Sequence, residues 1–403
     1  MKFDGGSISG AHTLTGTNTV ISETINKIFG IDITIEGTFI TSLICPEMFG
    51  AKGDGTTDDS DAIQAAELLT RCTIEKRIPA YSIKQYHNTL TLLNRKYGIG
   101  KTIYISSDIS IVGNGAAIVP LNGGIFNVFE NRNYMIVSKN IIPKGDVQRV
   151  VWENFSLNKY SYENPISGIY FAAQGYIRRI QTYGMDCAIY IADEYKDFVE
   201  IDGIYLMDGD PNVWKIHGGY LGDARNFKNI WCSTEKALQV GKAHFSCSVD
   251  HMVTGSLEIE QSDTYVTNCM FNSSEISKVY IGGGAKVVFT NCYFGITGDS
   301  KITITDGPYS WRKSKVTFIS CTFNYNAPYL LEDFEDNIIN CPDTNTNITF
   351  IDTFFNDQDK ISQANMYKHA PHIKGLDGLN TYIGIGLNNT NKTLPNIKIN
   401  CST

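Results

Sequence analysis

Phe289-Thr290-Asn291-Cys292-Tyr293-Phe294 repeats the pattern of Val266-Thr267-Asn268-Cys269-Met270-Phe271, and the same phrase returns as Phe318-Ile319-Ser320-Cys321-Thr322-Phe323 and Phe350-Ile351-Asp352-Thr353-Phe354-Phe355. Weaker copies lie upstream at 152–157, 177–180, 201–206, 227–232 and 249–252. Most successive copies stand about 22 to 26 residues apart, the coil period of a β-solenoid. Before seven of these copies runs a second short strand: Ile169-Tyr170-Phe171, Ile189-Tyr190-Ile191, Trp214-Lys215-Ile216, Leu238-Gln239-Val240, Leu257-Glu258-Ile259, Val279-Tyr280-Ile281 and Ile302-Thr303-Ile304. Strand side chains alternate sides, so the first and third residues of each triplet must face one core and the middle residue must face out.

Two strands advancing together by one coil predict an all-β fold, a single-stranded right-handed parallel β-helix whose inward residues form ladders of like on like. Ladders account for the phenylalanine and cysteine columns. Asn154, Asn229, Asn268 and Asn291 share one position at a bend and are read as a partial asparagine ladder with a structural role. The ten cysteines show no paired metal-ligand spacing and are read as reduced, buried thiols.

Composition agrees. Hydrophobic residues make up 42% and charged residues 19% of the 403, with abundant Gly, Asn, Ser, Thr and Tyr, the balance of a turn-rich β protein. A formal charge of -8 argues against nucleic acid or an anionic membrane as the main partner. No run reaches the roughly 18 apolar residues of a membrane span, and the opening residues form no secretory leader, so a soluble chain made in a cytoplasm is expected.

Around the repeat, residues 1–45 are assigned to an N-terminal anchor or lead segment, 46–356 to the β-helix and 357–403 to a C-terminal cap or trimerisation segment. Asp58 to Cys72 is read as a helix with Ala62, Ile63, Ala66 and Leu69 on one face, placed to cap the first coil.

Pro46-Glu47-Met48-Phe49-Gly50-Ala51-Lys52-Gly53-Asp54-Gly55-Thr56-Thr57-Asp58-Asp59-Ser60-Asp61-Ala62-Ile63-Gln64-Ala65-Ala66 closely resembles the opening motif of the pectate-lyase-like superfamily, which includes phage tailspikes and capsule depolymerases. Ile109-Ser110-Ile111-Val112-Gly113-Asn114-Gly115 resembles the strand and glycine turn that follow it there. The resemblance implies a β-helix, usually a homotrimer in phage members, that recognises and often cleaves bacterial surface polysaccharide. It further implies a virion protein attached to the phage tail or baseplate through its N-terminus and acting at the host cell surface. The motif itself is architectural: Gly50, Gly53 and Gly55 permit turns, and Asp58 and Asp59 cap the helix.

If a glycan lies along one sheet, the outward positions are its bed. Glu258 and Glu260 form the one pair of carboxylates on a single strand of that column, about 6.5 to 7 Å apart at Cα. A glycoside hydrolase needs one protonated and one ionised carboxyl, and separations of about 6.5 to 9.5 Å suit inversion while about 5 to 5.5 Å suit retention. Glu258 and Glu260 are therefore the expected acid and base, with Asp263 as a third acid. Lys215, His217, Gln239, Tyr280 and Tyr190 are the expected substrate-binding residues, and Lys215 with His217 would serve the runner-up chemistry, β-elimination by a polysaccharide lyase. A non-catalytic glycan-binding receptor protein is the alternative outside enzymes. No cofactor and no metal are expected: the glycine-rich pieces at 98–101 and 282–286 lack P-loop spacing, and no oxygen-ligand cluster is contiguous.

Overall fold

The bends of the coil decide where each strand stops. In the computed structural model Asn154, Asn229, Asn268 and Asn291 have φ of 62°, 51°, 52° and 53°, the left-handed region, and Gly203 holds the same place with φ 67°. Asparagine and glycine are tolerated there because other side chains crowd the following carbonyl. Arg179, His251, Ser320 and Asp352 fill the remaining bends at φ 51°, 52°, 50° and 47°. The residue after each bend turns inward, as Phe155, Ile180, Ile230, Cys269, Cys292 and Cys321 do.

The structure describes residues 7–357 except 22–23, 42, 72–87, 140–148, 193–197, 220–223, 235, 242–246, 273–278, 297–301, 306–312, 326–338 and 341–346; beyond 357 it describes 373–374, 381–383 and 386–387. It falls into two compact units, residues 1–195 with 199–210, and 196–198 with 211–403. Each unit is a stretch of parallel β-helix.

In the first unit, strands Thr13–Val20 and Thr34–Ile40 form a separate two-stranded parallel sheet. The glycine-rich motif follows, and its acids serve the backbone. Asp54 accepts from the amides and hydroxyls of Thr56 and Thr57. The Asp59 carboxylate accepts from the Lys52 and Gly53 amides at 2.7 and 3.0 Å, so it ties the preceding turn rather than the helix; Asp58 takes the Ser60 amide at 3.0 Å. Helix Ser60–Arg71 buries Ala62, Ile63, Ala66 and Leu69, as its spacing predicts. It packs on strands Asn88–Thr91, Lys96–Lys101 and Ile103–Ser106. Buried Glu67 bonds the Ser106 amide and pairs with Arg71. Coils then stack in two sheets, with Ile109–Ile125, Arg149–Asn158 and Gln174–Tyr183 in one and Arg132–Lys139, Ser167–Phe171 and Ile189–Ile191 in the other.

In the second unit one sheet runs Ile216–His217, Lys236–Val240, Ser256–Glu260, Val279–Gly282, Ile302–Ile304 and Ile339–Asn340, all parallel. The other carries the Asn-Cys phrase. Phe289, Phe318 and Phe350 stack with centroids 5.1 and 5.2 Å apart, and Phe271, Phe294 and Phe323 stack at 5.1 and 4.7 Å. The two columns meet edge to face. Cys269, Cys292 and Cys321 form the adjoining column, all buried thiols, with Thr353 in the next coil. Short described strands beyond residue 357 also pair with these sheets. Ile373–Lys374 pairs with Ile339–Asn340, and Thr381–Ile383 pairs with Asn347–Ile351 through Phe350↔Tyr382. Backbone pairing outlasts the side-chain phrase by one coil; the rest of 357–403 lies outside the described residues.

Candidate functional site

The site is built from the outward column of the first-mentioned sheet of the second unit. Leu238, Val240, Leu257, Ile259, Val279 and Ile281 are buried, which turns Gln239, Glu258, Glu260 and Tyr280 to the opposite face, all half-exposed. The register places His217, Gln239, Glu258, Tyr280 and Thr303 in one row, and Glu260 beside Gly282.

Gln239 donates from Nε2 to Oε1 of Glu258 at 2.6 Å. That bond comes from the neighbouring coil and fixes the orientation of the carboxylate as an acceptor. Tyr280 lies over Gly282, where an added Cβ would come within 2.7 Å of the ring, and its hydroxyl is 3.2 Å from that of Thr305. The lack of a side chain at Gly282 thus lets an aromatic ring settle beside the coil position of Glu260. The result is an open row of two carboxylates, an amide, a phenol and threonine hydroxyls on a rigid sheet.

Three expected bed residues are not exposed. Tyr190 is only 4% exposed, because its ring stacks on Tyr170 at 5.5 Å and 8° and meets the edge of Tyr134. Lys215 and His217 are 1% and 6% exposed. The chain turns at Gly218-Gly219 directly after His217, and the Gly219 amide donates back to its Nδ1 at 3.3 Å. The register also differs from the expected alignment: Ile216 pairs with Leu238, so His217, not Lys215, stands beside Gln239, and the Lys215 amide bonds the Lys236 carbonyl. Asp263 is separated from the pair by a corner. Gln261 has φ 51°, and Asp263 opens a strand of the other sheet, where Lys286 Nζ lies 3.6 Å from its Oδ2.

One further group of ionisable residues escaped the sequence reading. Asp250 accepts from Thr267 Oγ1 at 2.7 Å and Asn268 Nδ2 at 3.1 Å, and its other oxygen lies 2.9 Å from His251 Nδ1. Partial burial works to raise the Asp250 pKa, but hydrogen bonds from Thr267, His251 and Asn268 outweigh it and hold the carboxyl below the ordinary range. A histidine at a bend otherwise favouring asparagine was the available clue. Among the described residues no three His, Cys, Asp or Glu side chains cluster to hold a metal, and no helix is long and apolar enough to cross a membrane.

No family model and no curated protein sequence matches the chain. Solved structures do. The Streptococcus pneumoniae surface protein and adhesin PfbA aligns with 86% of this chain and 97% of its own, at 12% identity and a TM-score of 0.56. The A-module of the Azotobacter vinelandii mannuronan C-5 epimerase AlgE6 aligns with 86% of this chain and all of its own (100%), at 13% identity and a TM-score of 0.54. The fold these alignments share with the chain is the parallel β-helix. The tailspike gp42 of Acinetobacter phage vb_AbaP_AS12 aligns with 90% of this chain and 67% of its own, at 13% identity and a TM-score of 0.49. In this β-helix the half-exposed carboxylates belong to the second unit, and they rest on a strand whose inward residues are fully buried.

Proposed function

We propose that this β-helix binds an extended polysaccharide along the row Gln239, Glu258, Tyr280 and Thr303 and hydrolyses it endolytically. Fold does not choose an activity. The observation that carries the proposal is the placement of Glu258 and Glu260 on one face of one strand, both part-exposed and flanked by Tyr280. Residues i and i+2 of a strand stand about 6.5 to 7 Å apart at Cα, a spacing from which two glutamate side chains can set their carboxyls at the separation of either an inverting or a retaining pair. Glu258, held as an acceptor by Gln239, is the base that activates water; Glu260 is the acid that protonates the leaving oxygen. Tyr280 supplies a ring face for a sugar.

The lyase alternative drew on Lys215 and His217, whose burial leaves the carboxylates as the better-placed groups. By its resemblance at residues 46–66 the chain is further proposed to be a phage tailspike-like homotrimer directed at a bacterial capsule or O-antigen, attached to the tail through its N-terminus. The test is incubation with a panel of bacterial surface polysaccharides, followed by polymer size and absorbance near ~235 nm, where unsaturated uronates absorb. Hydrolysis predicts shrinkage without absorbance, and Glu258→Gln and Glu260→Gln should each lower kcat by about 10²- to 10⁴-fold. Rising absorbance would establish elimination instead, and binding without shrinkage would make the protein a receptor-binding module.

A further inference from the structure

The first unit contains a cavity of about 370 Å³ whose lining includes Thr56, Lys96, Asn122, Asn158, Tyr160 and Ser161 and no carboxylate. Four segments converge on it: the glycine-rich motif, strand Lys96–Lys101, strand Ile109–Ile125 and the turn after Arg149–Asn158. Tyr160 is 69% exposed, the largest exposure of any bulky apolar or aromatic side chain on its turn. An aromatic ring left in solvent usually costs burial energy that a fold would otherwise recover. Here the turn that carries the ring is fixed by hydrogen bonds from its backbone amides. The Tyr160 amide bonds Asn158 Oδ1 at 3.3 Å, the Lys159 amide bonds the Tyr183 carbonyl at 3.0 Å, and the Tyr162 amide closes the turn on the Lys159 carbonyl at 2.7 Å. The ring packs on Tyr183 with centroids 4.6 Å apart. Tyr183 is itself anchored, since its hydroxyl donates to Asp208.

Lys96 is the cation of the cavity. Its stem runs past Gly55, where a Cβ would come within 2.5 Å of Lys96 Cδ, and Gly55 has φ 76°. The glycine of the opening motif therefore makes room for this lysine as well as for a turn. Neighbouring acids are committed elsewhere: Asp54 to the Thr56 and Thr57 amides and hydroxyls, and Asp58 to Ser60 and Gly100. An oriented aromatic face, two side-chain amides, two hydroxyls and one lysine around a water-sized-to-sugar-sized hollow are the elements of a polar small-ligand site.

We propose that this cavity binds one acidic sugar unit of a polysaccharide, with its uronate carboxylate on Lys96 and its ring against Tyr160. The inference rests on the saccharide-binding reading above but not on Glu258 or Glu260, which belong to the other unit. Lys96 is exposed, and a uronate adds an ion pair with it that a neutral sugar cannot make, so the charge favours the acidic class.

The test is titration of the full-length protein with oligogalacturonate, oligomannuronate and, as the neutral control, maltohexaose, followed by calorimetry and saturation-transfer NMR. At least one uronate oligomer should bind about tenfold or more tightly than maltohexaose, and Lys96→Gln should remove that margin. Tyr160→Ala should weaken binding while Tyr160→Phe retains it, and salt should weaken the uronate complex because the ion pair is exposed. Circular dichroism separates lost binding from lost folding, and the Tyr160→Phe variant keeps the ring if the alanine variant is unstable. Binding of neither uronate, equal binding of maltohexaose, or uronate binding that survives Lys96→Gln but falls with Glu258→Gln would each overturn the proposal. Uronate binding that persists without any depolymerisation would sink the hydrolase reading and leave this site standing.

Discussion

Phe318 is the best place to test whether the coils stack in the register described. It is fully buried, face to face with Phe289 at 5.1 Å and 9° and with Phe350 at 5.2 Å and 12°, and edge to face with Phe294 and Phe323 at 5.7 and 5.3 Å. An aromatic pair in such geometry contributes about 0.5–1.5 kcal/mol beyond its buried area. Replacing Phe289 and Phe318 by leucine, singly and together, should give a coupling free energy in that range. The control pair is Phe271 and Phe350, three coils apart and so about 14 Å along the stack at roughly 4.8 Å per coil. Their coupling should stay below about 0.5 kcal/mol. Urea unfolding followed by circular dichroism measures all four variants of each cycle, with tryptophan fluorescence checking that one transition is being read. A coupling near zero for Phe289 and Phe318, or one as large for the control, would refute the column.

Other outcomes follow from the bends and the opening motif. Asn291→Ala should cost about 1–2 kcal/mol because alanine is crowded at φ 53°, whereas Asn291→Gly should stay within a few tenths of wild type; chemical denaturation separates them. The Asp54 carboxyl is held well below the usual range by the Thr57 and Thr56 amides and hydroxyls. Its contribution to stability is therefore present above the ordinary carboxylate pKa of about 4 and is lost as pH falls toward the depressed folded value. Asp54→Asn should lower the melting temperature at neutral pH, and the gap should narrow in acid; a gap independent of pH would refute the assignment.

The repeat was legible because two separate constraints wrote it into the chain. Inward strand positions had to be apolar, and the bend had to accept a positive φ, so Phe, Cys and Asn recur at fixed places. Where a bend is filled by Arg179 or His251, the copy is harder to see, and the structure shows that the backbone conformation is kept while the residue type is not. The helix was legible from its apolar face. Less legible was the role of Asp59, since a carboxylate that ties a turn and one that caps a helix occupy the same place in sequence. The alignment at Lys215 slipped by two residues because Trp214-Lys215-Ile216 and Ile216-His217 both alternate acceptably. Only the hydrogen bonds distinguish them.

Exposure of the outward row was the hardest feature to foresee, and it bears directly on function. An outward residue is solvent-facing only if nothing else covers it, and alternation says nothing about covering. In the first unit the outward row holds Tyr170 and Tyr190, which stack on each other and are joined by Phe129 and Tyr134, so apolar surface buries itself. In the second unit an outward row holds Gln239, Glu258 and Tyr280, with Glu260 one step along the strand. Carboxylates buried in that way would carry a desolvation cost that stacked aromatic rings do not. The row stays open for this reason, and an open, rigid row of acceptors beside an aromatic ring is a surface on which a sugar chain can lie.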